Sequence, residues 1–337
     1  MIIYQYMTTR FNWPIIGHKP IVSYLQAMIG NNTLGHAYLF YGPNGLGKNT
    51  LAQYFIKSIY CQSNNSPCDH CAHCRQISKQ IHPDIIYLEC QQGKKNITIE
   101  QVREARAKIY RGTFLNSHKI IFIRNTQTLS LAAANGLLKI LEEPTAKTIF
   151  IFLTPTLKNI PKTILSRVQV IKFLPVSVKK LESYLIKEGL DKNQAYELAH
   201  LSQGYPGRIL PFLGHSKLLT EYKHGQQNLL SQMSAGLNSR FALVEKLAGQ
   251  AKSEQSQQNA HQFLAQISSL VRDGLLIKNF CFGRVTHVDL KSELANFSGR
   301  YSSSHLAQLL NKIKITSRYL EQNVNLRLAL ENLVLEF

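Results

Sequence analysis

The sequence predicts an α/β fold built on a parallel sheet, followed by segments that are helical throughout. Three observations predict it. Over residues 36–175, short apolar runs alternate with helical patterns, the layout of parallel α/β domains. The apolar run AYLFY at residues 37–41 leads directly into GPNGLGK, a glycine-rich turn of the kind that joins a strand to a helix. All 11 prolines lie at or before Pro211, and the remainder is rich in Leu, Gln and Ala at helical spacing.

Each element has its own reason. AYLFY carries no polar alternation, so it reads as a strand buried on both faces. A helix starts at about Lys48, with Leu51, Phe55 and Ile59 on one face. Further strands are expected at 85–88, 120–123, 149–153 and 169–173. Helices between them cover 99–110 and 130–142, where Ser130 serves as N-cap and Pro144 ends the run. Beyond Pro175 two short helical patterns, 178–188 and 194–202, predict a small helical domain closed by GYPGR. The domain reading is therefore residues 1–174 for the α/β part, with a cysteine module at 61–74, then 175–212, then an all-helical 213–337.

With 337 residues, 44% of them hydrophobic, the chain can bury ordinary cores and is not disordered. Thirty-nine Lys+Arg against 20 Asp+Glu give a formal charge of +19, a field that attracts polyanions. No run of about 18 apolar residues exists, and MIIYQYMTTRFNW lacks a signal-peptide layout. A cytoplasmic protein without a membrane partner is expected.

The turn at 42–48 fits a P-loop, whose backbone N–H groups and helix start cradle phosphates while a lysine adds charge. Gly42, Gly45, Gly47 and Lys48 keep that cradle. The hydroxyl that should come directly after the lysine and hold Mg²⁺ is replaced by Asn49, and Thr50 lies about 100° further round the helix. The other half of such a site is an apolar strand ending in carboxylates. Here the candidate strand, 119–123, leads into Arg124, Asn125 and Gln127. Arg124 would place positive charge near a divalent cation, or swing outward, or pair with a phosphate. Nucleotide binding stays open, whereas hydrolysis at this site is expected to be absent or negligible.

Cys61, Cys68, Cys71 and Cys74 are spaced C-x6-C-x2-C-x2-C, and four thiolates in a short loop suit a tetrahedral structural Zn²⁺. An iron–sulfur run would want a further cysteine followed by proline. His70 and His73 lie in the same loop as competing ligands. Cys90 and Cys281 are expected to be small buried hydrophobes.

These motifs, with HPD at 82–84, AAANGLLKILEEP at 132–144, LSR at 165–167, GYPGR at 204–208 and NVNLRLALENL at 323–333, occur in one order. In that order the chain resembles the delta prime subunits of the bacterial DNA polymerase III clamp loader, which are AAA+ proteins. The resemblance implies an AAA+ domain, a lid and a collar for the three domains. It implies gamma or tau ATPases and delta as partners, the sliding clamp indirectly, primer-template DNA and proteins associated with single-stranded DNA. It also implies that Arg167, in Ser166-Arg167-Val168, is an arginine finger for a neighbouring subunit's ATP. Val168 stands where the family has cysteine, and a guanidinium needs no thiol to stabilise a phosphoryl group. Arg208 falls where active relatives carry a second nucleotide-sensing arginine, and Thr154 near a first sensor. A working ATPase of the gamma or tau kind, a zinc-containing nucleic-acid binder with a vestigial P-loop, and a small-nucleotide kinase are the competing readings.

Overall fold

A computed structural model describes residues 11–91, 93–110, 113, 118–144, 147–249, 254–322 and 324–337. The first ten residues of the N-terminal stretch and Asn323 of NVNLRLALENL lie outside them. The chain forms two compact units, Met1–Tyr184 with Gly204–Gly207, and Leu185–Gln203 with Arg208–Phe337.

The first unit carries a five-stranded parallel sheet in the order β2-β3-β4-β1-β5. Its strands are β1 (Ala37–Tyr41), β2 (Ile85–Leu88), β3 (Lys119–Ile123), β4 (Thr148–Thr154) and β5 (Gln169–Lys172). β3 and β4 are buried at every position, as a sheet covered on both faces requires. On one face lie α1 (Lys19–Gly30), α2 (Lys48–Tyr60) and α3 (Ala72–Ser78), whose Leu25, Leu51, Phe55 and Ile77 pack on Tyr38, Phe40, Phe122 and Ile151. On the other lie α4 (Ile99–Tyr110), α5 (Leu131–Glu142) and the short α6 (Lys162–Leu165), packed on Leu39, Ile121, Phe150 and Phe152.

Most expected elements stand within one or two residues of where the sequence puts them. α1 is an addition, although Pro20 in its first turn and the spacing Ile21, Leu25, Ile29 are helix signals. So is α3, which begins inside the cysteine run and is capped by the Cys71 sulfur.

The second unit is helical among its described residues. It holds α8 (Lys192–Ser202), α9 (Ser216–Ser234), α10 (Leu237–Ala248), α11 (Glu254–Lys278), α12 (Lys291–Gly299), α13 (Ser303–Glu321) and α14 (Leu326–Val334). The preceding helix, α7 (Val178–Lys187), runs across the boundary in the chain. Phe263, Ile267, Leu270, Leu294, Phe297, Leu306 and Leu330 form the core of this unit. No helix of the described residues is long and apolar enough to cross a membrane.

Trp13, the one tryptophan, is buried, donates Nε1–H to Ser58 Oγ at 2.8 Å and stands 6.4 Å from the Phe55 ring. Its emission should report the first unit's folding. Phe55→Ala, at a fully buried site, is expected to cost about 3–5 kcal/mol, read as a lower urea midpoint of Trp13 fluorescence.

Candidate functional site

The candidate residues gather at two edges of the sheet. At its C-terminal edge β1 ends in the turn that reaches α2 through Gly42, Gly45 and Gly47, all at positive φ. At Gly42 a Cβ would lie 2.6 Å from the Phe173 carbonyl oxygen, so only glycine fits. Gly42 N–H bonds Thr154 O at 3.2 Å and ties the turn to the end of β4.

A second segment closes on the turn from 204–207. Gly207 N–H donates to Gly45 O at 2.8 Å, and a Cβ on Gly207 would meet Gly45 Cα at 2.8 Å. On its other side His18 Nε2 bonds Leu46 O at 3.0 Å, with its ring 4.8 Å from Phe173. Burial lowers the His18 pKa, so the neutral ring serves as a strut. Neither contact is legible in the sequence, because both join segments far apart in the chain.

The ammonium of Lys48 folds back and donates to Gly42 O, and to Pro43 O at 2.8 Å. Burial lowers its pKa to about 8. Asn49 and Thr50 are exposed. Thr154 is fully buried, and its hydroxyl bonds Thr156 O at 2.7 Å and Gln127 Oε1 at 3.3 Å, a strand-end tie.

Two strands away in the sheet, just after β3, Arg124 turns toward β2. Its Nη1 lies 2.9 Å from Glu89 Oε1, and its guanidinium covers the rings of Phe122 and Tyr87 at 5.3 and 5.8 Å. The sheet edge thus does hold a carboxylate, Glu89 at the end of β2, which β3 read alone does not reveal. Its charge is matched by Arg124 and is not left for a cation.

Arg167 lies at the opposite edge. It precedes β5, whose Gln169 pairs with Tyr38 near the start of β1. Five residues of extended chain, roughly 16 Å, separate that end of β1 from Gly42. The Arg167 guanidinium is held by Thr163 O (2.9 Å), Ser166 Oγ (3.0 Å) and Glu142 Oε1 (2.6 Å). Glu142, at the end of α5, and Arg167 share an open cleft with His36, Pro144 and Val168. Arg208, in the second unit, donates to Gln203 Oε1 at 2.8 Å.

The sulfurs of Cys61, Cys68, Cys71 and Cys74 lie within 4.8 Å of one another. Four sulfurs at about 2.3 Å from one tetrahedral ion sit roughly 3.8 Å apart, so the set fits a metal. Cys68 Sγ accepts from Cys71 N–H, and Cys71 Sγ from Cys74 N–H, both at 3.4 Å. Burial raises the Cys68 thiol, but donors around it outweigh that and bring it to about 6. Burial raises Cys71 and Cys74. His70 instead bonds Cys68 O and His73 faces His82 Nε2, so neither joins the group. Cys281 is exposed and Cys90 half-buried, against the expectation that both are buried. Cys281 comes after a helix end and Cys90 after a strand end, positions at the rim of their cores.

Two family models match this chain. One, described as DNA polymerase III, delta subunit, covers residues 17–177, and the other, described as the C-terminal part of the same subunit, covers 222–337. The chain belongs to the DNA polymerase III delta subunit family. It is 26% identical over 306 residues to subunit delta' of Escherichia coli K12, covering 90% of this chain and 87% of that one. To subunit delta' of Bacillus subtilis it is 33% identical over 186 residues, covering 54% and 55%. To subunit gamma of Buchnera aphidicola from Acyrthosiphon pisum it is 33% identical over 201 residues, covering 58% and 55%. The chain spans about half the length of the last two relatives.

This geometry has two measurable outcomes. Because burial holds Lys48 at about 8 against an ordinary 10.5, the unfolded chain binds the extra proton between those values and stability rises with pH there. The melting temperature of wild type relative to Lys48→Met should therefore rise between pH 8 and 10. Purified chain should carry one zinc per molecule by elemental analysis. Strong chelation or Cys74→Ser should release it and lower the melting temperature, since metal affinity at such a site is folding energy.

Proposed function

We propose that this chain is a clamp-loader subunit that does not hydrolyse ATP itself and lends Arg167 to the ATP held by a neighbouring subunit. The observation that carries it is the contrast between the two sheet edges. At the P-loop edge, Asn49 replaces the Mg²⁺-binding hydroxyl, the strand end offers Arg124, and Glu89 is spent on that arginine. At the other edge a half-exposed arginine stands beside an open cleft, too far along β1 to serve the chain's own P-loop.

An arginine finger acts by placing a guanidinium against charge that develops on the transferring phosphoryl group. In the free chain Glu142 takes that partner's place. The pair is partly exposed and of the kind worth about 0–1 kcal/mol, so a phosphate can displace the carboxylate. ATP binding at the cradle without turnover fits Gly42, Gly45, Gly47 and Lys48. Cys61, Cys68, Cys71 and Cys74 would hold Zn²⁺ as a structural clip; the metal supplies rigidity and no step of the chemistry.

On this reading residues 1–174 form the AAA+ domain, 175–212 a lid and 213–337 a collar that assembles with the other subunits. The partners are gamma or tau ATPases and delta, with clamp and primed DNA reached through the assembly, in the cytoplasm. A working ATPase of the gamma or tau kind would want a hydroxyl at position 49 and a free carboxylate at the end of β3, and neither is present.

The test is a loader reconstituted with this chain, assayed by single-turnover ATP hydrolysis with clamp and primed DNA. Arg167→Ala, shown to assemble as wild type does, should slow the adjoining site by about 10³-fold or more. An unchanged rate in the assembled complex would overturn the assignment. Glu142→Gln should leave that rate intact or raise it up to about fivefold, because the competing carboxylate is gone.

A further inference from the structure

Between α11 and α12 the chain presents an aromatic pair to water. Phe280 is 82% exposed and Phe282 46%, with ring centroids 6.2 Å apart and edge to face. Packing explains neither ring.

Backbone geometry makes the exposure more pointed. Phe280 has φ 57° in the left-handed cap that ends α11, where glycine is usual. Its N–H bonds Ile277 O at 3.0 Å, and that of Cys281 bonds Leu276 O at 2.8 Å. A phenylalanine there is tolerated at a cost in strain and gains no burial in return.

The loop that carries the pair is fixed on several sides. Arg272 Nη2 donates to Arg284 O at 2.9 Å, and Lys278 Nζ to Ser298 O at 3.2 Å. Downstream, Thr286 and His287 N–H groups both bond Asp273 Oδ2 at 2.8 Å, and His200 Nδ1 bonds Val285 O at 2.8 Å. The rings are thus held ready on a rigid base, which lowers the entropy lost when something binds.

The chain segment around the pair is cationic. Residues 274–288 include Lys278 and Arg284 and no acidic residue. Asp273 is fully buried and engaged with His287, and Asp289 lines a separate small cavity with Tyr222 and Lys223. An apolar protein partner would want a continuous apolar patch, whereas Asn279, Gly283 and Arg284 adjoin these rings in the chain.

We propose that Phe280 and Phe282 are a stacking platform for unpaired bases of single-stranded nucleic acid, with Arg284 and Lys278 set against its phosphates. Exposed aromatics beside cations bind single strands in a sequence-tolerant way, because every base has a π-face. This reading does not depend on the role of Arg167.

The test uses the full chain and a fluorescently labelled oligodeoxythymidylate, with anisotropy measured across a salt series. Phe280→Ala with Phe282→Ala should weaken binding at least about tenfold while leaving the slope of log K against log salt unchanged. Arg284→Ala should make that slope shallower by about 0.7. Phe280→Gly should raise the melting temperature and still weaken binding, since glycine relieves the left-handed strain and removes a ring. Wild-type affinity in the folded double variant would overturn the proposal. So would a double variant that binds the oligonucleotide normally but no longer joins the other loader subunits, because the pair would then be a protein contact.

Discussion

Strand β1 is paired on both sides, with β4 and β5, and buried on both faces. That single constraint sets the geometry of the first unit. A strand so held cannot shift by one residue without moving Tyr38 and Phe40 out of one core and Leu39 out of the other. The turn after its last residue is therefore fixed in place, and so is the segment beside its start. The P-loop turn hangs from one end, and Arg167 stands against the other.

The two ends have had opposite fates in electrostatic terms. At the P-loop end positive charge has accumulated and is consumed internally: Lys48 bonds the carbonyls of its own turn, and Arg124 is paired with Glu89 and laid on two rings. A site for Mg-nucleotide needs the reverse, carboxylate and hydroxyl oxygens left free for a cation. At the Arg167 end the guanidinium keeps only partly exposed partners, of which Glu142 is one that a more highly charged phosphate can replace. The fold is retained at both ends, and on the proposed reading the chemistry belongs to the Arg167 end alone.

Much of this is legible in the sequence because the signals are local. An uninterrupted apolar run such as AYLFY, the glycines at 42, 45 and 47, Ser130 as a cap and the cysteine spacing each carry their own physical cause. Glu89 is not legible, because its importance comes from β2 lying beside β3, a pairing of residues far apart in the chain. Glu142 and the Gly207–Gly45 contact are hidden for the same reason. Cys281 misleads because a lone cysteine is most often buried, and only the end of α11 shows that this one is at a rim. Phe280 gives no signal at all, since a left-handed phenylalanine looks in sequence like any core aromatic.

The central claim is that this chain's own P-loop serves the fold and the assembly, and takes no part in turnover. It is tested most directly by measuring ATP hydrolysis and clamp loading in a reconstituted complex that carries Lys48→Met in this subunit alone, with assembly verified. Rates within about twofold of wild type are predicted, because a lysine already spent on its own loop contributes nothing to the reacting phosphates. A fall of an order of magnitude or more in the intact complex would contradict the claim and return this subunit to the ranks of the ATPases.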